Sequence, residues 1–280
     1  MLSPLPDRYL VVGNPIAHSL SPKIHRLFAA QTGQTLTYQA RLLPLEDFAA
    51  HAGRLLDRRL RGLNVTVPFK PAAYQWVDAL SPRARLAGAV NTVSVRADGL
   101  HGDNTDGVGM VRDLTVNLGM TLATRRILVL GAGGAVRGVL GPLLDTAPGA
   151  VTIANRTPEK AAQLARRFSH QGEVDGVGYD RLAGRRFDLI INGSAAGLHG
   201  QVAPLPAGIV RRGGMVYDML YAATETPFLR WARAQGVDRL ADGLGMLVEQ
   251  AAEAFWIWRG VRPDSRAVMR ALRPAVSAAD

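Results

Sequence analysis

Cysteine is absent from this 280-residue chain. That excludes disulfides, thiolate metal sites and a cysteine nucleophile, and it fits a cytoplasmic protein. Lysine is nearly absent: of 33 basic residues only Lys23, Lys70 and Lys160 are lysines. Arginine keeps its proton at any working pH, whereas lysine can give one up. A lysine retained in so arginine-biased a chain is a candidate for a role that needs an amine. Long apolar runs are missing as well. No uninterrupted stretch could span a bilayer, and Met1 to Tyr9 lacks the basic region and apolar core of a signal peptide. His18 lies beside a serine pair, but His25, His51, His101, His170 and His199 show no metal-ligand spacing, so no metal is expected.

Positive charge is plentiful, with a formal net charge of +10. Nucleic-acid binding is therefore one reading. Against it, the arginines are scattered, as in Arg54, Arg58, Arg59, Arg61, Arg166, Arg167, Arg185 and Arg186. There is no basic tail and no zinc-finger, RRM or leucine-zipper pattern. A solvated basic surface fits better, and its field would draw in anionic small molecules. The length suits one large domain or two ordinary ones.

The most specific stretch is Arg126-Ile-Leu-Val-Leu-Gly131-Ala-Gly133-Gly134-Ala-Val-Arg-Gly138, followed by Val151-Thr-Ile-Ala-Asn155. A strand that turns tightly into a helix aims backbone N–H groups and a positive helix pole at one spot, which suits a pyrophosphate. The third glycine of the G-x-G-x-x-G fingerprint falls on Val136. A NAD site wants an acid at the end of the second strand. This chain has Asn155-Arg156-Thr157, and an arginine there suits a 2′-phosphate, so the segment reads as an NADP site. The alternative is a glycine-rich turn in some other α/β protein.

Along the chain, Tyr9–Gly13 reads as a buried strand. Ser21-Pro22 reads as an N-cap with proline at the first helical position, and Gly33 ends that helix. Thr35–Leu43 is β-like, Leu45–Leu60 helical, and Leu63–Val67 a short strand stopped by Pro68. Thr92–Val95 is a strand followed by a turn at Ala97-Asp-Gly99, and Gly107–Leu118 a helix. From Arg126 the strand–helix alternation restarts, with a helix at Pro158–Phe168 and strands at Phe187–Ile191 and Met215–Asp218. Such βαβ repetition predicts a mostly parallel sheet. Helices run from Gly245 to about Arg259 and again after Pro263. The expected architecture is α/β: two α/β domains with a cleft between them, where ligands commonly sit. The domains are expected at residues 1–106 and 107–245, with the last helices, 246–280, returning to the first.

A nucleotide site says what is bound and leaves the reaction open. Gly13-Asn-Pro-Ile-Ala-His18-Ser19-Leu-Ser21-Pro22 puts two hydroxyls near a helix start, a place for a carboxylate or for simple capping. Asn64-Val-Thr66-Val-Pro-Phe-Lys70 puts Asn64 and Thr66 on one strand face with Lys70 beyond its end. Asn91 precedes a strand. Gly102-Asp103-Asn104-Thr105-Asp106-Gly107 places two carboxylates in a loop, which could equally be a capped turn. Hydride transfer between an alcohol and a carbonyl needs a group that takes or gives the hydroxyl proton. Lys70 with either aspartate could do this.

Together these segments, with Leu86-Ala-Gly-Ala-Val-Asn-Thr and Asp242-Gly-Leu-Gly-Met-Leu, resemble the shikimate dehydrogenase family, in family order and over nearly the whole chain. The resemblance implies NADP-dependent reversible reduction of 3-dehydroshikimate to shikimate, in chorismate and aromatic amino acid biosynthesis. It implies an N-terminal substrate-binding domain and a C-terminal Rossmann-type NADP-binding domain. It implies that Ser19, Ser21, Thr66, Asn91, Asp106 and Gln250 hold the substrate, with Tyr221 nearby, and that Lys70 and Asp106 form the catalytic pair. On the cofactor side it implies Gly131, Ala132, Gly133, Gly134 and Ala135 under the pyrophosphate, and Asn155, Arg156, Thr157 and Lys160 around the 2′-phosphate. Ser194, Met219 and Gly243 would line the nicotinamide side. Two departures stand out: Pro82 where relatives often carry an acid, and Gly193-Ser-Ala-Ala-Gly197 in place of a threonine-containing run. Rival readings are a quinate/shikimate dehydrogenase that uses NAD, a folate-linked methylene dehydrogenase, and a basic nucleic-acid-binding protein. The partner expected is a small molecule, with no nucleic acid and no membrane, and the enzyme is expected to be a monomer or homodimer.

Overall fold

A computed structural model of the chain describes residues 5–194, 196 and 200–277. His199 and Gly197 lie outside the described residues. The chain forms two compact units. One runs through Gly109 and adds Val248–Val268; the other is Met110–Leu247 with the residues from Met269 onward.

The first unit carries β1 (Asp7–Gly13), β2 (Leu36–Leu42), β3 (Leu60–Val65), β4 (Ala79–Leu80), β5 (Thr92–Arg96) and β6 (Gly99–Asp103). They form one sheet in the order β2-β1-β3-β5-β6-β4. β1 pairs in parallel with β2 and β3, while β5 runs antiparallel to β3 and β6. Tyr9 and Val11 on one face of β1, and Leu10 and Val12 on the other, are all at most 3% exposed, as a central strand covered on both faces requires. Helices α1 (Ser21–Thr32), α2 (Phe48–Gly53), α3 (Lys70–Trp76), α4 (Pro82–Ala87) and α5 (Asp106–Arg112) connect or follow the strands.

Three expectations are corrected here. Ser21 is already helical: the cap position is Leu20, which makes no side-chain cap bond, so the Ser21 hydroxyl is left for other partners. Gly33 does end the helix, at φ +64° with its N–H on the Ala29 carbonyl. The helix expected over Leu45–Leu60 shrinks to α2. Asp57 takes the N–H groups of Arg59 and Leu60, both at 2.9 Å, and the turn so made delivers the chain into β3. The loop expected around Asp103 is instead the end of β6, with Asp106 opening α5.

His25 sits on α1, 1% exposed, stacked on Tyr38 at 4.1 Å and packed near Phe28, Phe255 and Trp258. Burial drops its pKa from 6.5 to about 3. Above pH 6.5 both folded and unfolded chains hold it neutral. Between 6.5 and 3 only the unfolded chain takes up the proton, so stability falls as pH is lowered. Urea unfolding should show wild type losing about 2 kcal/mol more than His25→Asn between pH 7 and 5. Parallel losses in the two proteins would reject the assignment.

The second unit carries β7 (Arg126–Leu130), β8 (Ala150–Ala154), β9 (Val174–Val177), β10 (Phe187–Asn192), β11 (Val210–Asp218) and β12 (Arg239–Ala241). Their order is β12-β11-β10-β7-β8-β9, with every neighbouring pair parallel. This is the doubly wound arrangement, whose strand order reverses between β7 and β10 and opens a crevice at their carboxyl ends. Its helices are α6 (Gly134–Leu144), α7 (Pro158–Phe168) and α8 (Pro227–Ala234); α9 (Leu244–Arg259) groups with the first unit from Val248 onward, and α10 (Ser265–Ser277) with the second from Met269 onward. The helix expected over Gly107–Leu118 is α5 followed by one π turn, Asp113–Asn117. Asp113 is buried there and receives the Tyr217 hydroxyl at 2.8 Å.

The unit boundaries fall after Gly109 and Leu247. Residues 248–268 group with the first unit, but α10 from Met269 onward groups with the second. Asn117 reaches the Met269 sulfur at 3.9 Å and Arg273 pairs with Asp242 at 2.8 Å, which holds that end of the helix. Among the described residues no helix is long and apolar enough to cross a membrane.

Candidate active site and nucleotide pocket

β3 ends at Val65, earlier than the expected stop at Pro68, and a short turn through Pro68 leads to Lys70, which opens α3 just beyond the strand's carboxyl end. Its Nζ lies 2.7 Å from Asp106 Oδ2. The other carboxylate oxygen, Oδ1, accepts from Asn91 Nδ2 at 2.8 Å. Asn91 is itself pinned: its Oδ1 takes the Thr105 N–H and the Thr92 hydroxyl, both at 2.9 Å. An oxygen must therefore stand there, and the amide nitrogen must face the carboxylate. Gln250 completes the group, its Oε1 3.3 Å from Thr105 Oγ1 and 3.4 Å from Asn91 Nδ2. Side-chain exposure is 10% at Asp106 and 26% at Lys70, so the amine is the open end of the cluster.

Asp103 has a different job. It accepts Ser81 Oγ at 2.6 Å and both Nε and Nη2 of Arg83, at 2.6 and 2.9 Å. Arg83 also reaches Glu253 at 3.0 Å, and Arg262 joins Glu253 from the other side. Burial opposes the charge on Arg83, yet its bonds to Asp103 and Glu253 hold its pKa above the ordinary value. Replacing Arg83 by Met leaves Asp103 without an ion partner and Glu253 with Arg262 alone, and such a loss costs about 3 kcal/mol. Chemical denaturation should show that drop, with kcat per folded molecule close to wild type; unchanged stability would refute the network's importance.

Near β1, Gly13 leaves room for Thr66: a Cβ on Gly13 would stand 2.5 Å from Thr66 Cγ2. Ser19 Oγ accepts the Ser21 N–H at 3.3 Å. Asn64, buried at 7% exposure, accepts the Tyr38 hydroxyl at 2.7 Å. Thr66 lies just past the end of β3 and so is not on its face with Asn64. The first unit thus brings Lys70, Asp106, Asn91 and Gln250 together around Thr105, a residue the motif reading passed over. Tyr221 belongs to the second unit, after β11, where burial pushes its phenol pKa up.

In the second unit β7 runs into Gly131, whose φ of +102° favours glycine. A Cβ there would also stand 3.1 Å from the Gly193 carbonyl oxygen. Gly133 caps α6 with no side-chain bond, so the first N–H groups of the helix are left for a ligand. Cβ atoms on Gly133 or Gly134 would meet only open space, the room into which a phosphate would fit. The missing third glycine has a structural answer. Val136 is fully buried, and a Cβ on Gly193 would stand 2.6 Å from its Cγ2, so the small residue sits on β10's end in place of the helix.

A pocket of about 600 Å³ opens at this loop. It is lined by Gly131 to Ala135, Asn155, Arg156, Thr157, Lys160 and Ser194. Tyr179 and Gln201 to Pro204 also line it and were not foreseen; Tyr179 follows β9, a strand too short and polar to read. Met219 and Gly243 lie outside it. They pack on each other, since a Cβ on Gly243 would collide with the Met219 carbonyl.

Comparison with known proteins agrees across the chain. The model of the shikimate dehydrogenase substrate binding domain matches residues 11–93. That of shikimate / quinate 5-dehydrogenase matches 114–197, and that of the shikimate 5′-dehydrogenase C-terminal domain 243–273. A curated shikimate dehydrogenase (NADP(+)) of Alkalilimnicola ehrlichii is 57% identical over 268 residues, spanning 96% of this chain and 99% of the relative. Its counterpart in Methylobacillus flagellatus is 54% identical over 96% of this chain and 100% of the relative. The crystal structure of a Thermus thermophilus shikimate 5-dehydrogenase, in complex with NADP(H) and shikimate, matches with a TM-score of 0.84 at 38% identity. The match covers 96% of this chain and 99% of that one. With motifs, sheet order and sequence in agreement over nearly its full length, the chain belongs to the shikimate dehydrogenase family.

Proposed function

We propose that this enzyme carries out the NADP-dependent, reversible reduction of 3-dehydroshikimate to shikimate, with Lys70 as the proton donor and acceptor. The observation that carries the proposal is the Lys70–Asp106 pair at 2.7 Å, one carboxylate oxygen on the amine and the other held by Asn91. A lysine so held can hand a proton to a developing alkoxide and take it back, as general acid–base catalysis requires.

The second unit's pocket suits NADP. The glycine loop leaves space and free N–H groups for a pyrophosphate. Arg156 and Lys160 are exposed, with no ion-pair partner among the described residues, so both are available to a 2′-phosphate. When bound, NADPH supplies the hydride. In reduction Lys70 Nζ protonates the C3 oxygen as the carbonyl becomes an alcohol; in oxidation it removes the C3 hydroxyl proton. Asp106 and Asn91 hold the amine in register, and Ser19, Ser21, Thr66 and Gln250 bind and orient the ring's carboxylate and hydroxyls. Tyr221 assists on the substrate side, while Asn155, Thr157, Ser194, Met219 and Gly243 contribute to the cofactor side. The same reading makes it a cytoplasmic enzyme, monomer or homodimer, that takes a small-molecule substrate.

The test is a dehydrogenase assay with shikimate or quinate, each with NADP or NAD. Reduction of NADP by shikimate well above the other three combinations is expected. Equal rates with quinate or NAD would turn the reading to a relaxed quinate/shikimate dehydrogenase, and no turnover at all would sink it.

A further inference from the structure

We infer that Tyr38 is a positioning residue for the catalytic pair: its hydroxyl meets the amide oxygen of Asn64, and a one-way chain of hydrogen bonds runs from that amide to Asp106 and Lys70. The inference rests on the function proposed above. Every residue in the chain lies in the first unit.

The chain begins at Asn64 Oδ1. It accepts the Tyr38 hydroxyl at 2.7 Å. His25 stacks on the Tyr38 ring at 4.1 Å. Burial keeps the imidazole neutral and the Tyr38 phenol protonated. The Asn91 carbonyl can only accept, so Asn64 Nδ2 faces it and Oδ1 faces the Tyr38 hydroxyl. A flipped amide would set its oxygen against that carbonyl.

The consequences run in one direction. Asn64 Nδ2 donates to Thr92 Oγ1 and to the Asn91 carbonyl, each at 3.1 Å. Thr92, having accepted, gives its own hydrogen to Asn91 Oδ1 at 2.9 Å. Asn91 Nδ2 then faces Asp106 Oδ1 at 2.8 Å, and Asp106 Oδ2 holds Lys70. Asn64, Asn91, Thr92 and Asp106 are at most 7% exposed, so water cannot readily substitute for a lost link. The Thr105 N–H holds Asn91 independently, which limits the expected effect to a moderate one.

The experiment is a double-mutant cycle on shikimate oxidation with Tyr38→Phe and Thr92→Val. Phe keeps the ring stacked on His25 and removes only the hydroxyl. Each single variant should lower kcat by roughly 5- to 10-fold, with KM for NADP unchanged and KM for shikimate raised no more than about twofold. The double variant should be no slower than the slower single, because both break one chain. An active wild type with kcat unchanged in Tyr38→Phe overturns the inference, as do losses that multiply in the double variant. An inactive wild type overturns the functional reading instead, and the two failures are told apart by that control.

Discussion

Lys70→Ala is expected to lower kcat by about 10²-fold or more while leaving KM for shikimate within a few-fold of wild type. The Lys70 side chain is 26% exposed, against 10% for Asp106, and Asp106 and Asn91 are both held by further hydrogen bonds. Removing it leaves Asp106 still held by Asn91, so the binding groups keep their places and the loss falls on the proton transfer. Lys70→Arg sharpens the test. It restores the positive charge and a hydrogen bond to Asp106, but a guanidinium holds its proton at working pH and cannot take one from a hydroxyl. If the charge alone mattered, Arg would recover the rate; if proton transfer matters, Lys70→Arg should stay close to Lys70→Ala. Steady-state kinetics in both directions decide this, and a near-normal kcat in Lys70→Ala would end the assignment.

Much of this was legible in sequence because the responsible residues are close in the chain. A β-branched run stopped by Pro68 places Lys70, and an apolar run ending in glycines places the nucleotide loop. The choice between Asp103 and Asp106 was not legible from spacing. It is made by Arg83 and Glu253, which draw Asp103 into an ion network, and Glu253 is 150 positions further along the chain than Asp103. β6 was hidden because two of its five residues are glycine, and β12 because it is three residues long. Ser21 looked like a cap because serine before proline usually is one; here the helix starts one residue earlier, with Leu20 at the cap position. Val136 looked like a flaw in the fingerprint until Gly193, on a different strand, showed where the space had moved. In each case the deciding partner is distant in sequence, and periodicity carries no information about it.

Arg156→Asp should weaken NADP binding by about 10- to 100-fold, the worth of one lost charge-assisted hydrogen bond plus a new repulsion. NAD should be affected far less, so the NADP/NAD preference should collapse. Arg156 and Lys160 flank the start of α7, Pro158–Phe168, where the helix dipole is positive. Cations are disfavoured at that pole, and neither residue has an ion-pair partner among the described residues, although Glu159 lies in the same turn. A 2′-phosphate would pair with the guanidinium fork and sit at a helix N-terminus that favours anions. NAD has only a hydroxyl at that position and gains little from either. An aspartate at 156 would instead accept from that hydroxyl and repel the phosphate, which is the arrangement NAD sites use. Fluorescence titration with NADPH and NADH, alongside kcat/KM for the two oxidised cofactors, measures the effect. A cofactor ratio equal to wild type would mean that Lys160 or the loop N–H groups carry the selectivity and that Arg156 is merely a surface charge.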